Sequence, residues 1–428
     1  MRILLTGANG FIGRYLLAGL VAAGHEVIPA VRRPQEADRL LPAPRAIKVD
    51  FNRRTKARDW VPHLAGIEAV INCAGILHPS RGQSIAAIHA GAPKALFEAC
   101  RQAGVKRAIQ ISAISAQASA RTAYAATKLD ADRFLQASDL DWIVLRPSLV
   151  YARGAHGGTA LLRALAALPF AIPLVGRGDQ EFQPIHIDDL VATVLAILRR
   201  PEITKATIDP VGPDRLTMRQ MLIDLRRWLG LPQAPVIEVP RALIRAMAGF
   251  GDIAGGTINS TALAQLEHGN TGNLDAFEKA SGIKPRRWRD ALLAEPAQAQ
   301  DRLHARLYFA RPLLRLALGL LWIGSGIIGL LQPMASVQQI GAAMGLGGGT
   351  SLAIASAASL LDIVIGSAVL FRRRPGLLAA IQLLVVLIYT IGLSVAQPSL
   401  WLDPFGPLLK NLPILAAILL YAGLERER

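Results

Sequence analysis

Cysteine is nearly missing from this chain: Cys73 and Cys100 are the only two among 428 residues. Two thiols make neither a disulfide framework nor a zinc site. Both fall in apolar segments of an α/β pattern, where reduced core cysteines belong. Charge is sparse too, at 18% of residues, and aromatics make up only 5%. The charge present leans to one sign, with 47 Lys and Arg against 31 Asp and Glu for a formal net of +16. The arginines are scattered and no aromatic platform is interleaved with them, which argues against a nucleic-acid partner. Anionic lipid on the cytoplasmic side of a membrane suits the balance better. A secretory leader is not expected, since Met1-Arg-Ile-Leu-Leu-Thr6 reads as a strand entering a turn; the first domain is expected in the cytoplasm.

Long apolar runs, by contrast, are plentiful, and they crowd into the last third of the chain. Up to about residue 310 the composition is that of a soluble protein, and the full length suits two or three domains. Four apolar segments follow: Pro312–Leu331, Ser351–Phe371, Leu377–Ala396 and a weaker one over Leu408–Leu424, interrupted by Lys410 and Pro413. The first three approach the roughly 20 residues a helix needs to cross a bilayer. Arg311 and Arg315 precede the first, Arg372, Arg373 and Arg374 separate the second from the third, and Arg426 and Arg428 end the chain. The 332–350 loop carries no charge. The positive-inside rule then gives four crossings in the cell (inner) membrane, with both termini cytoplasmic. Asp362 falls mid-way along the second segment, where an ionisable group is a functional candidate by default. The plainer alternative is a structural hydrogen bond to Tyr389 or Gln382.

The first third alternates short β-like runs (Arg2–Leu5, His25–Val31, Ala69–Asn72, Ala108–Ile111, Trp142–Leu145) with helical stretches (Phe11–Ala23, Pro93–Ala103, Tyr124–Ala137). That alternation predicts an α/β fold with a doubly wound parallel sheet. Residues 1–150 form its nucleotide-binding core. Residues 151–295, less periodic and with a Gly-rich patch at 249–256, complete it with a small mixed substrate-side domain. Residues 296–311 read as a polar linker or an amphipathic approach to the membrane, and 312–428 as an all-α four-helix transmembrane domain.

Thr6-Gly7-Ala8-Asn9-Gly10-Phe11-Ile12-Gly13 lies between the first strand and the first helix. Gly7 permits the tight turn, Gly10 lets backbone approach a pyrophosphate, and Gly13 allows helix and strand to pack closely. The helix N-terminus adds N–H donors for phosphate. At the end of the second strand, where NAD-preferring proteins place an acid on the ribose, the sequence is Ala30-Val31-Arg32-Arg33-Pro34. Arg32 or Arg33 could instead pair with a 2′-phosphate, so NADP(H) is favoured over NAD(H). A solvated surface pair is the alternative.

With Asp50 in Lys48-Val-Asp-Phe51, Asn72-Cys-Ala-Gly75, Leu145-Arg-Pro147, Pro184-Ile-His-Ile-Asp-Asp189 and Val211-Gly-Pro213, the first 290 or so residues resemble the extended or atypical short-chain dehydrogenase/reductases. The NAD-dependent epimerase/dehydratase type and the NADPH-binding accessory subunit of respiratory complex I are the nearest in pattern. The resemblance implies that Asp50 contacts adenine and that Ala74, Gly75 and Pro147 lie along the cofactor. It also implies that Tyr124 moves a proton as hydride moves, while Lys128 binds the nicotinamide ribose. Tyr124 and Lys128 are four apart on one helical face, and an ammonium there lowers a phenol's pKa. For the hydroxyl that polarises substrate, Ser112 and Ser115 are candidates, and Ser112 is preferred as nearest the strand end. Ala113 departs from the family's paired hydroxyls. His186, Asp188 and Asp189 are read as structural, an aspartate capping the following helix; no metal cluster is expected. The run Leu161–Val175 is either a core helix or a greasy lid. Leu320-Leu-Trp-Ile-Gly-Ser-Gly326, Trp401-Leu-Asp-Pro-Phe-Gly-Pro407 and Lys410-Asn-Leu-Pro413 resemble the DoxX-like four-helix membrane family, some of whose wider group are linked to quinone chemistry.

These readings predict a membrane-anchored NADP(H)-dependent oxidoreductase acting on a lipophilic carbonyl or alcohol, quinone- or isoprenoid-related substrates included. A non-catalytic nucleotide-binding module of a membrane redox complex is the second reading. A sugar-nucleotide epimerase or dehydratase is the third.

Overall fold

The computed structural model describes residues 1–35, 46–77, 82–119, 122–254, 260–267, 269–371 and 374–426. Gly255 and Gly256 of the glycine patch, and Arg372, Arg373 and Arg428 of the flanking charges, lie outside the described residues. The chain divides into two compact units, Met1–Ala305 and Arg306–Arg428.

The first unit is built on a parallel sheet. Its strands are β1 (Arg2–Thr6), β2 (Glu26–Val31), β3 (Ile47–Lys48), β4 (Ala69–Asn72), β5 (Arg107–Ile111) and β6 (Asp141–Leu145), joined by the strand Ala206–Ile208. Their order across the sheet is Ala206–Ile208, β6, β5, β4, β1, β2, β3, and every pairing is parallel. Burial on both faces explains why these strands are continuous apolar runs rather than alternating ones. Ile3 and Leu5 join one core beside the helices Phe11–Ala22 and Ile187–Arg199. Leu4 joins the opposite core, beside the helix Ala92–Ala103. Each such side chain contributes roughly 1.5–3 kcal/mol by leaving water. The strand order reverses between β1 and β4, and that reversal opens the crevice in which doubly wound sheets bind ligands.

Beyond the sheet, a smaller core gathers Leu162, Ala166, Ile172, Phe182, Met221 and Trp288. The apolar run Leu161–Val175 is mostly part of it: the helix Gly157–Ala166 buries Leu161 and Leu162, and the strand Ile172–Val175 buries Ile172 and Leu174. Core packing therefore accounts for the run, apart from Phe170, which is 87% exposed.

The second unit is helical. Ala299–Leu330, Gly348–Leu370 and Pro375–Ala396 are long and apolar enough to cross a membrane. The segment expected as a linker is helical from Ala299 onward and continuous with the first of these, with Pro312 inside it. A fourth apolar helix, Asn411–Arg426, is shorter, at 16 residues. The uncharged loop expected at 332–350 instead holds a helix, Met334–Ala343. Without a hydrophobic drive between helices in lipid, close contact falls to small residues. A Cβ on Gly366 would stand 2.6 Å from the Gly319 oxygen, so glycine is what lets these two helices touch. Buried polar pairs add to this: Trp322 Nε1 donates to Gln382 Oε1 at 2.9 Å, and the Tyr389 hydroxyl donates to Asp362 Oδ1 at 2.9 Å. Of the two structural partners expected for Asp362, the structure takes Tyr389.

Candidate active site

Gly7 turns the chain out of β1 with φ +66°, and a Cβ there would meet Cys73 and Ala74 backbone at 2.9 Å. A Cβ on Gly13 would stand 2.1 Å from the Gly7 oxygen. Both positions thus admit only glycine without a shift, and together they bring the first turn of the helix Phe11–Ala22 onto the β1 turn. Gly10 caps that helix with no side-chain hydrogen bond to its first turn. Those N–H groups face a ligand-sized need for acceptors, which a pyrophosphate meets. The residues present therefore fit a dinucleotide.

Other expected cofactor residues have structural engagements that the sequence did not reveal. Thr6 Oγ1 donates to Asn72 Oδ1 at 2.5 Å, and Asn72 Nδ2 donates to Gln110 Oε1 at 2.7 Å, so a buried polar line crosses β1, β4 and β5. The Asn9 carbonyl accepts from Arg14 Nε at 3.0 Å. Phe11 stacks on His156 with ring centroids 5.6 Å apart, and Ile12 packs beside it against the sheet core. Arg32 and Arg33 are exposed just past β2. Asp50 accepts from Asn52 N at 3.0 Å and pairs with the exposed Arg53 at 3.8 Å.

The helix Ala123–Gln136 carries the Tyr124/Lys128 pair beside β4 and β5. Lys128 is buried, its Nζ donating to Ile111 O at 2.9 Å and Ala74 O at 3.4 Å. A Cβ on Gly75 would come within 3.3 Å of that Nζ, so Gly75 leaves the ammonium room. Burial draws the Lys128 pKa down, with Asp132 opposing. Tyr124 departs from expectation. Burial pushes its phenol up to about 12 and the Asp132 carboxylate adds to the rise, so a lowered value is not found. The physical reason is that Lys128 spends donors on two carbonyls, while the charge felt by Tyr124 is the Asp132 anion, eight residues further along the helix.

Ser112 is buried, and its hydroxyl donates to Asp132 Oδ2 at 2.5 Å. The proton expected to polarise a substrate is thereby given to a neighbour. Burial holds the Asp132 carboxyl up at about 6, against the Ser112 hydrogen bond and the Lys128 charge. Ser115, the other candidate, has a buried hydroxyl with no hydrogen-bond partner among the described residues. Sequence reasoning missed Asp132 and also His89, whose ring meets Tyr124 edge-on with centroids 5.2 Å apart. Asp132 follows Lys128 by one helical turn, a spacing that could have signalled it.

Residues 3–208 match the NAD dependent epimerase/dehydratase family, and residues 319–419 match the DoxX-like family. The chain joins an epimerase/dehydratase-family domain to a DoxX-like membrane domain. Similar proteins include a ceramide reductase of Caulobacter vibrioides, 26% identical over 224 residues that cover 51% of this chain and 68% of that one. The NADH dehydrogenase [ubiquinone] 1 alpha subcomplex subunit 9 of Arabidopsis thaliana is 26% identical over 254 residues, covering 55% of this chain and 62% of its own length. A longer Mycobacterium tuberculosis protein is matched over 26% of its length. Among solved structures, the dTDP-glucose 4,6-dehydratase DesIV of Streptomyces venezuelae, with NAD bound, superposes with a TM-score of 0.55 at 19% identity over 72% of this chain and 97% of that one. That likeness establishes the fold.

Within the first unit, mostly beyond the residues that match the family, an open cleft of about 730 Å³ is lined by Gln183, Pro213, Arg215, Gly272 and Asn273 among others. Gln183 Oε1 accepts from Gly272 N at 3.0 Å, and its carbonyl accepts from Ser148 Oγ at 2.5 Å. Gly272 also packs toward Ile114, which places the cleft past the carboxyl ends of β5 and β6, on the ligand side of the sheet. His186 is structural, with one correction: its own ring caps the helix Ile187–Arg199, accepting from Asp188 N at 3.4 Å, while Asp188 and Asp189 are drawn to Arg286 at 3.1 and 3.0 Å. His186, Asp188 and Glu295 group closely enough for a metal. The Arg286 guanidinium already neutralises Asp188 there.

Proposed function

We propose that the chain is a membrane-anchored NADP(H)-dependent reductase of a lipid carbonyl. The observation that carries this is the Tyr124/Lys128 pair on one helix, with Lys128 buried and its Nζ on the Ala74 and Ile111 carbonyls beside the Ala74–Gly75 turn. A bound nicotinamide supplies the hydride. Tyr124 gives its proton to the developing alkoxide, and Lys128 orients the turn through the Ala74 carbonyl while offering its remaining donor to the ribose. The Gly7–Gly13 turn and the uncapped helix end hold the pyrophosphate. Arg32 and Arg33, with no carboxylate at the end of β2, support NADP(H) over NAD(H).

A lipid substrate is supported by the DoxX-like domain and by the relative named for ceramide reduction. Quinone- and isoprenoid-type carbonyls belong to the same class. An even number of crossings is supported by contacts within the second unit: Arg315 pairs with Glu425 at 3.4 Å, and Arg311 donates to the Leu424 carbonyl; the arginines flanking the spans favour the cytoplasmic side for both ends. The start of the first span and the end of the last helix therefore meet at one end of the bundle, as an even number of crossings requires.

The test is a product search. Purified full-length protein is incubated with native lipid extract and NADPH, and Tyr124→Phe serves as the control. A reduced lipid that forms only with Tyr124 intact supports the reductase. NADPH binding without any Tyr124-dependent product favours the nucleotide-binding module of a redox complex, a reading to which the commitment of the Ser112 hydroxyl to Asp132 lends weight.

A further inference from the structure

His89 is fully buried, with 0% of its surface in water, at the start of the helix that leads into Ala92–Ala103. It lies in a single wide turn, Ala87–Gly91, with π-helical hydrogen bonding. Such turns are uncommon and frequently mark functional sites. A buried imidazole needs two partners, and His89 has them on two different elements. Its Nε2 lies 3.0 Å from Ile76 N, which can only donate, so Nε2 is the acceptor. Its Nδ1 lies 3.2 Å from Thr127 Oγ1, and that hydroxyl donates its own proton to Ala123 O at 2.7 Å. The remaining proton of the ring must therefore sit on Nδ1 and point at Thr127. The network admits one tautomer.

The elements it joins are the ones that make the candidate active site. Ile76 ends the Ala74–Gly75 turn after β4, and a Cβ on Gly75 would lie 3.5 Å from His89 Nε2 and 3.3 Å from Lys128 Nζ. Thr127 stands between Tyr124 and Lys128 on their helix. The ring itself meets Tyr124 at an interplanar angle of 86°. An edge-to-face contact of this kind restricts the rotation of the phenol as well as its distance.

We propose that His89 is a positioning residue that fixes Tyr124 and the Ala74–Gly75 turn relative to each other, acting as an uncharged Nδ1–H tautomer held between Ile76 and Thr127. It touches no reacting atom. Its uncharged state is also favoured by burial and by the nearby Lys128 ammonium, which together bring its pKa down to about 3. The role rests on the Tyr124 reading given above, so its test has readouts that survive the loss of that reading.

The full-length protein is labelled with ¹⁵N-histidine, and the His89 signal is assigned by its disappearance in His89→Phe. A neutral ring protonated on Nδ1, unchanged between about pH 5 and 8, is expected. A proton on Nε2, or a charged ring within that range, overturns the proposal even if no substrate is found. Thr127→Val removes the Nδ1 partner but leaves the Ile76 N–H on Nε2, so the Nδ1–H tautomer is expected to persist there, and a switch to Nε2–H would overturn the assignment of Nε2 as the acceptor. His89→Phe keeps an aromatic edge but loses both hydrogen bonds. With the substrate in hand, it should lower kcat about tenfold while KM and NADPH affinity stay within about twofold, since about 1.4 kcal/mol of lost alignment is a factor of ten. His89→Gln, which can still accept from Ile76 N, should recover part of that loss. Equal falls in kcat and NADPH affinity, or none, would mean that His89 only fills space. Should Tyr124→Phe prove fully active, the Tyr124 proton-donor reading fails and the tautomer measurement still stands.

Discussion

Replacing Gly13 with alanine sets two effects of opposite sign against each other. Inside a helix, alanine in place of glycine stabilises by roughly 0.5–1 kcal/mol because the unfolded chain loses freedom. At Gly13, however, the new methyl would stand 2.1 Å from the Gly7 oxygen and 2.9 Å from both Gly7 C and Ala8 Cα. All three are backbone atoms of the turn after β1, so no side-chain rotation relieves the clash. Overpacking of this kind costs about 1–3 kcal/mol, which outweighs the helical gain. The compliant response is for the helix Phe11–Ala22 to back away from the turn, withdrawing the N–H groups meant for the pyrophosphate. We expect the NADPH dissociation constant to rise about 10- to 100-fold, equivalent to about 1.4–2.8 kcal/mol. Fluorescence titration of the full-length protein reads this directly. Gly158→Ala is the control, since a Cβ there meets nothing within 4 Å. Binding by Gly13→Ala within threefold of the parent protein would refute the cradle as drawn.

Three further outcomes are expected. Removing both guanidinium groups, with Arg32→Ala and Arg33→Ala together, should weaken NADPH about tenfold or more and leave NADH nearly unchanged, as separate titrations would show; equal weakening would mean that the 2′-phosphate is read elsewhere. Asp132 has its carboxyl raised by burial from an ordinary 3.8 to about 6, so the stability tied to its protonated form is present below 3.8 and lost as pH rises through 6. Asp132→Asn should then melt at or above the parent temperature at pH 8, by at most about 3 kcal/mol, with the difference shrinking toward acid; a variant less stable at every pH would contradict this. In the membrane unit, Trp322→Phe leaves the fully buried Gln382 without its donor and should cost about 0.5–2 kcal/mol of thermal stability in detergent, whereas no change would show that the pair contributes nothing.

The sheet was legible because its strands are buried on both faces. Each apolar run in the first 150 residues became a strand within a residue or so of its expected ends, and the glycines of the β1 turn announced their own necessity. The membrane helices were legible for a similar reason, a composition that tolerates no alternative. What escaped the sequence was direction. Lys128 and Tyr124 share a helical face, and spacing alone suggested that the ammonium would pull the phenol's pKa down. The structure spends the ammonium on the Ile111 and Ala74 carbonyls instead. Likewise His186 caps its helix with its own ring, because the helix already begins at Ile187, and Arg286, a hundred residues away in sequence, takes both aspartates of the first turn. Long-range arginine partners of this kind leave no local signature.

The Ser112–Asp132 bond bears on how the site could turn over. In the resting arrangement the hydroxyl proton belongs to Asp132, and the same carboxylate helps keep the proton on Tyr124. One buried anion thus holds both donors back. A carboxyl near 6 is only slightly below neutral, so modest changes in its surroundings move it between charged and neutral forms. Once Asp132 is protonated it no longer opposes ionisation of Tyr124, and it can donate to Ser112 rather than only accept. The phenol is then easier to ionise and the serine hydroxyl is free to turn toward a substrate oxygen. Such a site holds its proton donors back in the resting state and is readied for turnover by the protonation of Asp132. Activity should therefore fall between about pH 6 and 8 in the parent protein and lose that limb in Asp132→Asn. A pH profile unchanged by the substitution would remove Asp132 from the chemistry and leave it a purely structural partner of Ser112.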